Sequence, residues 1–317
     1  MKVLITAPYV HAYLDEWRQE FPQVEFLTGQ TPAEVLAKAP EAEVAFGHVS
    51  QELFRAAPKL RWIQSGSAGV EWMQAVPELR DSDVIVTNTR GAHATTIAEH
   101  TFGMLVFLTR NFAQLYEAQK EHQWMRPQEI RPCTGLVGMT MGIVGLGQIG
   151  RAIAKRAHAF EMEVIAVDAH PVQQPEYVRE LRLLDGLEDL MRRSDVVVIA
   201  IPITPETRGM INSSLLQQMK PGSYLMVMSR GGIVDEPTVV QMLREGKLAG
   251  AGFDVAAVEP LPPDNELWSA PNVFITPHCS PSSQQTRANV TNIMKENLRR
   301  YLAGEPLMNL CDKRLGY

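Results

Sequence analysis

At 317 residues the chain has room for two domains of ordinary size, and 45% apolar with 21% charged residues excludes an extended disordered protein. The formal net charge is -6 and no Lys/Arg block stands out, which argues against a nucleic-acid or membrane-surface partner. The cysteines Cys133, Cys279 and Cys311 are odd in number and lack CxxC spacing, so neither a disulfide framework nor a metal site is expected. The N-terminal MKVLITAPYV has too short an apolar run for a signal peptide, and no stretch approaches the roughly 18 apolar residues of a membrane span. A cytoplasmic enzyme is the expectation.

Short β-rich runs alternate with helical patterns from the start. Val3–Thr6, Val24–Leu27, Val44–Phe46, Trp62–Gln64 and Val84–Thr87 read as strands. Ala12–Phe21, Pro32–Ala39 and Gln51–Ala57 read as the helices between them, with Pro32 suited to a first turn and Pro40 and Pro58 to helix ends. Such alternation means a parallel sheet covered on both faces. A longer helix follows. Thr95 or Thr96 supplies its cap, Glu99 fits a capping box, and Ile97, Met104, Leu105, Leu108, Phe112, Leu115 and Tyr116 hold a helical period to about Gln119.

Trp124–Gly138, with Pro127, Pro132, Gly135 and Gly138, reads as a connector. A second α/β series begins after it. Its strands are Thr140–Val144, Val164–Asp168, Val196–Ile201, Tyr224–Met228, Gly252–Val255 and Val273–Thr276. Its helices are Gln148–Phe160, Leu187–Arg193, Ser213–Met219 and Glu236–Glu245, and a last helix runs from about Ser283 to Ala303.

The strand Thr140–Val144 runs into Gly145-Leu146-Gly147-Gln148-Ile149-Gly150 and then a helix. The first glycine permits the tight turn, the second lets the backbone approach a pyrophosphate, and the third lets helix and strand pack closely. The helix start offers N–H groups to the phosphates. Asp168 ends the next strand. Its carboxylate suits ribose hydroxyls and repels a 2′-phosphate, and Ala169 and His170 bring no arginine to reverse that, so NAD is expected over NADP.

Reduction of a 2-keto acid needs a cation for the carboxylate, a proton donor for the forming alkoxide, and a partner that keeps the donor protonated. Arg230 follows the strand Tyr224–Met228, precedes Gly231-Gly232, and has the fork that suits a carboxylate. His278 closes the strand Val273–Thr276 in Thr276-Pro277-His278. Glu259 lies in the proline-rich loop Glu259-Pro260-Leu261-Pro262-Pro263. A carboxylate beside His278 favours the protonated donor form.

These phrases carry a resemblance. Ser229-Arg230-Gly231-Gly232-Ile233-Val234-Asp235-Glu236, Gly252-Phe253-Asp254-Val255 with Glu259-Pro260, and Thr276-Pro277-His278 are similar to the signatures of the D-isomer-specific 2-hydroxyacid dehydrogenase family. So are Ile201-Pro202-Ile203-Thr204-Pro205-Glu206-Thr207-Arg208-Gly209 and Asn88-Thr89-Arg90-Gly91-Ala92 with Ala98-Glu99-His100. The resemblance implies that Arg230 binds and polarises substrate, that His278 is the general acid/base, and that Glu259 is its partner. It puts Asp254 near the nicotinamide carboxamide. Ile201, Pro202, Thr207, Ser229, His278 and Ser280 join Gly145, Gly147, Gln148, Ile149, Gly150 and Asp168 as expected cofactor contacts. The loop Ser67, Ala68 and Gly69 resembles the one whose backbone N–H groups meet the substrate carboxylate in the family.

By the same resemblance the fold is α/β, two Rossmann-like doubly wound parallel-sheet domains with a cleft between them. Residues 1–95 plus 285–317 form a discontinuous substrate-binding domain, and 96–284 form an NAD-binding domain. The long helix after Thr96 resembles the one that builds the family's homodimer. Many members have Asn where this chain has His93, and an apolar residue followed by small ones where it has Cys279, Ser280 and Pro281. The tail Asp312-Lys313-Arg314-Leu315-Gly316-Tyr317 resembles the glyoxylate/hydroxypyruvate-reductase-like branch, without the regulatory domain that many phosphoglycerate dehydrogenases carry.

Two other readings compete. One is a non-catalytic NAD-sensing protein, like the corepressors of this fold. The other is an alanine-dehydrogenase-like or homocysteine-hydrolase-like enzyme, which needs a different constellation from Arg230, Glu259 and His278.

Overall fold

The computed structural model describes residues 1–314. The chain divides into two compact units, Met1–His93 together with the chain from Ser283 on, and Ala94–Ser282. The sequence boundaries were expected at 95/96 and 284/285.

In the first unit β1 (Lys2–Ile5), α1 (Leu14–Glu20), β2 (Glu25–Leu27), α2 (Pro32–Lys38), β3 (Val44–Phe46), α3 (Gln51–Ala56), β4 (Trp62–Gln64), α4 (Pro77–Arg80) and β5 (Ile85–Thr87) follow one another. The strands form a parallel sheet in the order β2-β1-β3-β4-β5. Local chemistry sets the helix starts. Thr31 accepts from Glu34 N at 3.2 Å ahead of α2, and Ser50 accepts from Leu53 N at 3.1 Å ahead of α3. Side chains alternate between two cores. Val3, Ile5, Val44, Phe46 and Trp62 pack on one face, and Leu4, Ala45, Ile63 and Val86 on the other.

The second unit opens with α5 (Ala94–Thr109) and α6 (Phe112–Lys120). Then come β6 (Thr140–Val144), α7 (Gln148–Ala159), β7 (Glu163–Val167), β8 (Glu180–Arg182), α8 (Leu187–Arg193), β9 (Val196–Ile199) and α9 (Ser213–Leu216). β10 (Ser223–Val227), α10 (Glu236–Arg244), β11 (Leu248–Phe253) and β12 (Val273–Ile275) complete the unit. Its parallel sheet has the order β12-β11-β10-β9-β6-β7-β8. Strand order reverses between β6 and β9, the switch point at which such sheets bind ligands beyond their carboxyl ends. Both faces are again buried. Met141, Ile143, Val196, Val198 and Met226 serve one core, and Val144, Val197, Ile199, Leu225 and Val227 the other. Each such side chain contributes about 1.5–3 kcal/mol by leaving water.

The chain returns to the first unit as α11 (Gln284–Ala303), capped by Ser283, whose side chain accepts from Thr286 N at 3.0 Å. Asn297 on α11 is fully buried and donates to Gln64 Oε1 at 2.7 Å.

Several elements differ from expectation. The single helix to Gln119 is two, broken at Asn111, which sits at φ 54. The apolar period runs through the break, but the Asn111 side chain donates to Arg131 O at 2.9 Å and anchors the connector there. α5 starts at Ala94, so Thr95 and Thr96 lie inside it and Glu99 pairs with Arg156 instead of closing a capping box. The strand expected at Gly252–Val255 is β11, which starts at Leu248 and whose small residues Ala249–Gly252 fit a crowded sheet position. There a Cβ on Gly252 would lie 2.5 Å from Met226 Cε. The edge strand β8, with no buried position, carries no apolar signal. Of the C-terminal tail, Leu315, Gly316 and Tyr317 lie outside the described residues.

Candidate active site

In the second unit the glycine turn joins β6 to α7 at the switch point. Gly145 has φ 98, a conformation that side chains resist, and a Cβ there would meet Ile201 Cγ2 at 2.7 Å. A Cβ on Gly150 would lie 2.0 Å from Gly145 O, so helix and turn touch only because that residue is glycine. Around Gly147 the space a Cβ would enter is open. A cradle of this shape, with the first turn of α7 (Gln148, Ile149) behind it, fits a dinucleotide pyrophosphate. Asp168 lies beside it. One carboxylate oxygen accepts from Leu146 N at 2.8 Å and the other from His170 N at 3.0 Å, which fixes the carboxylate next to the turn.

The remaining expected cofactor residues of this unit lie on loops at the carboxyl ends of neighbouring strands. Ile201 packs on the glycine turn. The Thr207 hydroxyl donates to Pro202 O at 2.7 Å and accepts from Thr204 N at 2.7 Å, so it closes its own loop. Ser229 Oγ is buried without a hydrogen-bond partner among the described residues. Such an orphan hydroxyl is a donor for a ligand.

Glu259 and His278 are brought together. His278 Nδ1 lies 2.8 Å from Glu259 Oε2, and the second carboxylate oxygen accepts from Ala256 N at 3.1 Å. With Nδ1–H donated to the carboxylate, Nε2 is the nitrogen left to exchange a proton. Glu236 sits in the same loop cluster and accepts from Ala257 N at 2.6 Å. Burial pushes its carboxyl up from the ordinary value; the Ala257 N–H opposes this and the neighbouring Glu259 charge adds to it. Arg230 donates to Ser229 O at 2.8 Å and is half-buried at the end of β10. Gly231 explains how this loop passes the Glu259 loop: a Cβ there would stand 1.8 Å from Ala256 O.

Asp254 organises the loop that carries His278. It is 1% exposed. Its backbone oxygen accepts from His278 N at 2.7 Å. Oδ1 accepts from Thr276 Oγ1 at 2.6 Å, Cys279 N at 3.0 Å and Ser280 N at 3.2 Å, and Oδ2 accepts from Ser280 N at 3.1 Å. His278 itself has φ 51, the left-handed region that a non-glycine residue enters only when its surroundings impose it. Sequence reasoning named Asp254 and Ser280 as cofactor contacts but missed this bracing. It also missed His100, whose Nε2 lies 3.0 Å from Thr276 Oγ1. His100 stands in a quoted motif, yet nothing in its spacing links it to a strand end 176 residues away.

In the first unit, Ser67, Ala68 and Gly69 follow β4 at its carboxyl end. Ser67 Oγ donates to Gly69 O at 2.6 Å and lies 3.0 Å from Ser65 Oγ and 3.1 Å from His48 Nε2. Asn88 Nδ2 donates to Ala68 O at 2.8 Å. The N–H groups of Ala68 and Gly69 have no acceptor among the described residues, as an anion-binding loop requires. Gly66 lies so close to Tyr9 that a Cβ would fall 1.9 Å from its hydroxyl, a buried group without a hydrogen-bond partner among the described residues. Burial pushes the Tyr9 hydroxyl up to about 12. The His48 ring stacks on Trp72 with centroids 5.6 Å apart, and burial lowers its pKa.

A glycine cradle at a switch point, an acidic residue beside it and a paired His and Glu describe a nucleotide-dependent dehydrogenase fold. The family model for the D-isomer specific 2-hydroxyacid dehydrogenase NAD binding domain matches residues 102–280. The chain belongs to that family. It is 32% identical over 308 residues to the glyoxylate reductase of Korarchaeum cryptofilum, covering 96% of this chain and 91% of the relative. It is 31% identical to the D-3-phosphoglycerate dehydrogenase of Methanocaldococcus jannaschii, where 98% of this chain spans 59% of the relative's length.

Among solved structures, a D-isomer specific 2-hydroxyacid dehydrogenase family protein from Aeromonas salmonicida superposes with TM-score 0.86 at 30% identity, covering 98% and 99% of the two chains. The NADPH-dependent glyoxylate/hydroxypyruvate reductase of Sinorhizobium meliloti, solved with NADP and sulfate, does so with TM-score 0.83 at 28% identity, covering 100% and 99%. No helix among the described residues is long and apolar enough to cross a membrane.

Proposed function

We propose that this chain is an NAD-dependent oxidoreductase that interconverts a small 2-keto acid and its D-2-hydroxy acid, with NADH preferred to NADPH. The observation that carries the reading is the His278–Glu259 pair at 2.8 Å, in the same unit as the glycine cradle and braced by Asp254. The chemistry a bound reduced nicotinamide supplies is a hydride for the carbonyl carbon. The chain's own residues do the rest. Arg230 offers its fork to the substrate and polarises the carbonyl. His278, oriented through Nδ1 by Glu259, gives a proton from Nε2 to the forming alkoxide and takes one back in the oxidation. Ser67, Ala68 and Gly69 hold the substrate carboxylate through backbone N–H groups. Asp168 receives the ribose hydroxyls and disfavours a 2′-phosphate.

In domain terms, the unit of Met1–His93 and the chain from Ser283 on is the substrate-binding domain, and Ala94–Ser282 the NAD-binding domain. Further elements of the reading are a cytoplasmic location and a homodimer built on α5, α6 and their connector. Phe112, Tyr116 and Trp124 support the dimer, being 45%, 57% and 97% exposed.

The test follows NADH absorbance with the purified chain and a panel of 2-keto acids, with NADPH in parallel. Glyoxylate and hydroxypyruvate come first, because relatives bear those names. Rapid NADH loss with one acid, slower with NADPH, is expected. No loss with any acid, despite measurable NADH binding, would overturn the proposal in favour of a nucleotide-sensing protein.

A further inference from the structure

We propose that His100, Asp254 and Cys279 form a binding site for a thiophilic divalent cation, with Zn²⁺ as its reference ion, and that occupancy restrains the loop carrying His278. The three side chains come from α5, the end of β11 and the loop after β12, and their ligand atoms all lie within 4.8 Å of one another. An imidazole nitrogen, a carboxylate oxygen and a thiolate sulfur are the donors zinc takes, with a fourth position open to water. Magnesium and calcium, which seek oxygen alone, are poorly served by this set.

The setting favours an ion. Asp254 is 1% exposed and already fixed by N–H and O–H donors, so its carboxylate needs no ordering. Carboxylate and thiolate together balance a divalent charge in a half-buried place. His100 Nε2 lies 3.8 Å from Asp254 Oδ1. It now meets Thr276 Oγ1, and coordination replaces that hydrogen bond as the ring proton moves to Nδ1. Zinc–ligand distances of about 2.0–2.3 Å ask the three groups to close in by roughly an ångström, within reach of side-chain rotation at Cys279 and His100. The thioether of Met104, with Sδ 4.0 Å from Thr276 Oγ1, adds a soft neighbour.

The consequence for the loop follows from connectivity. Cys279 is the next residue after His278, and Asp254 O holds His278 N at 2.7 Å. An ion that draws in Cys279 fixes the backbone turn on which the His278 ring depends. Zn²⁺ therefore slows turnover without competing with the keto acid. This last statement rests on the proposed reductase activity; binding itself does not.

The experiment uses the whole chain, stripped with a chelator and titrated with Co²⁺. A stoichiometric spectrum with tetrahedral d–d bands and a thiolate-to-cobalt charge-transfer band, displaced by Zn²⁺, is expected. Cys279→Ser removes the charge-transfer band, His100→Gln weakens Zn²⁺ affinity by about 100-fold, and Cys133→Ser and Cys311→Ser change neither. Should a variant fail to fold, alkylation of the unaltered chain decides: Zn²⁺ protects Cys279 and leaves Cys133 reactive. A charge-transfer band that survives Cys279→Ser, or Cys279 alkylated equally with and without Zn²⁺, would overturn the site. If NADH turnover is measurable, Zn²⁺ inhibition is read as the fraction of each variant's own uninhibited rate and is relieved in Cys279→Ser. Undiminished turnover with Zn²⁺ bound would overturn the restraint alone.

Discussion

The loop after β4 and the loop after β12 both lie at carboxyl ends of parallel strands, yet they are held in different ways. Around Ser65–Gly69 the ties are neutral and dispersed: Ser67 bonds Ser65, Gly69 O and His48, Asn88 holds Ala68 O, and two backbone N–H groups find no acceptor among the described residues. Around His278 the ties converge on one carboxylate, Asp254, which takes Thr276, Cys279 and Ser280 together. A dispersed network loses its members piecemeal. A converging one in a low-dielectric place is strong when complete and fails as a unit. The first arrangement suits a loop that offers dipoles to an anion, and the second a loop that must hold one imidazole in an unfavourable backbone conformation.

The comparison breaks most readily at His278. His278→Ala is expected to lower turnover by about 100-fold or more in the NADH assay, since general acid catalysis is lost; near-normal turnover would remove His278 from the chemistry. Next come two glycines, Gly66 in the loop after β4 and Gly231, which packs on the Ala256 backbone of the loop that carries Glu259, the partner of His278. Gly231→Ala meets the Ala256 backbone oxygen, which cannot swing away, whereas Gly66→Ala meets the end of the Tyr9 side chain. Denaturant unfolding should show a loss of about 3 kcal/mol for the first and nearer 1 kcal/mol for the second. Equal losses would mean that the Tyr9 side chain yields no more readily than the Ala256 backbone.

Asp168→Ala tests whether a single carboxylate also governs the cofactor end. The ratio of kcat/KM with NADH to that with NADPH should fall about tenfold, roughly 1.4 kcal/mol. An unchanged ratio would relieve Asp168 of ribose recognition and leave it only its hydrogen bonds to Leu146 N and His170 N.

The smallest effect is at Glu236, whose carboxyl lies above its ordinary 4.5 chiefly through burial. A carboxyl raised in the folded state holds its proton more tightly there than in the unfolded chain. Stability is then greatest at low pH and falls as pH rises from the unfolded value through the folded one. Glu236→Gln keeps an acceptor for Ala257 N–H and has nothing to ionise. Its stability relative to the parent chain should therefore rise across that window in pH-dependent unfolding, and a flat difference would contradict the assigned burial cost.

Much of this was legible in the residues. The alternation of short apolar strands with helices, the glycine turn and Asp168 are local patterns, and local patterns survive in sequence. The break at Asn111 was hidden because Phe112, Leu115 and Tyr116 continue the helical period while the cause, a side-chain bond to Arg131 O, is remote in sequence. β8 was hidden because an edge strand without a buried position has no apolar signature. The pairing of Glu259 with His278 was anticipated from chemistry and family resemblance. The bracing of that loop was not, since His100, Asp254 and Thr276 meet only in three dimensions.

The covalent order of the units has a consequence for how the chain is made. The sheet of the first unit packs against α11, through Val290, Met294 and Leu298 in its core and through Asn297 on Gln64. The whole of Ala94–Ser282 separates that helix from β5. At about 5–20 residues per second the ribosome needs roughly 10–40 s to cross the interval. During that time the nascent N-terminal sheet shows an uncovered apolar face, while the later unit, continuous in sequence, finishes first. The first strands to be synthesised therefore belong to the unit whose core is completed last.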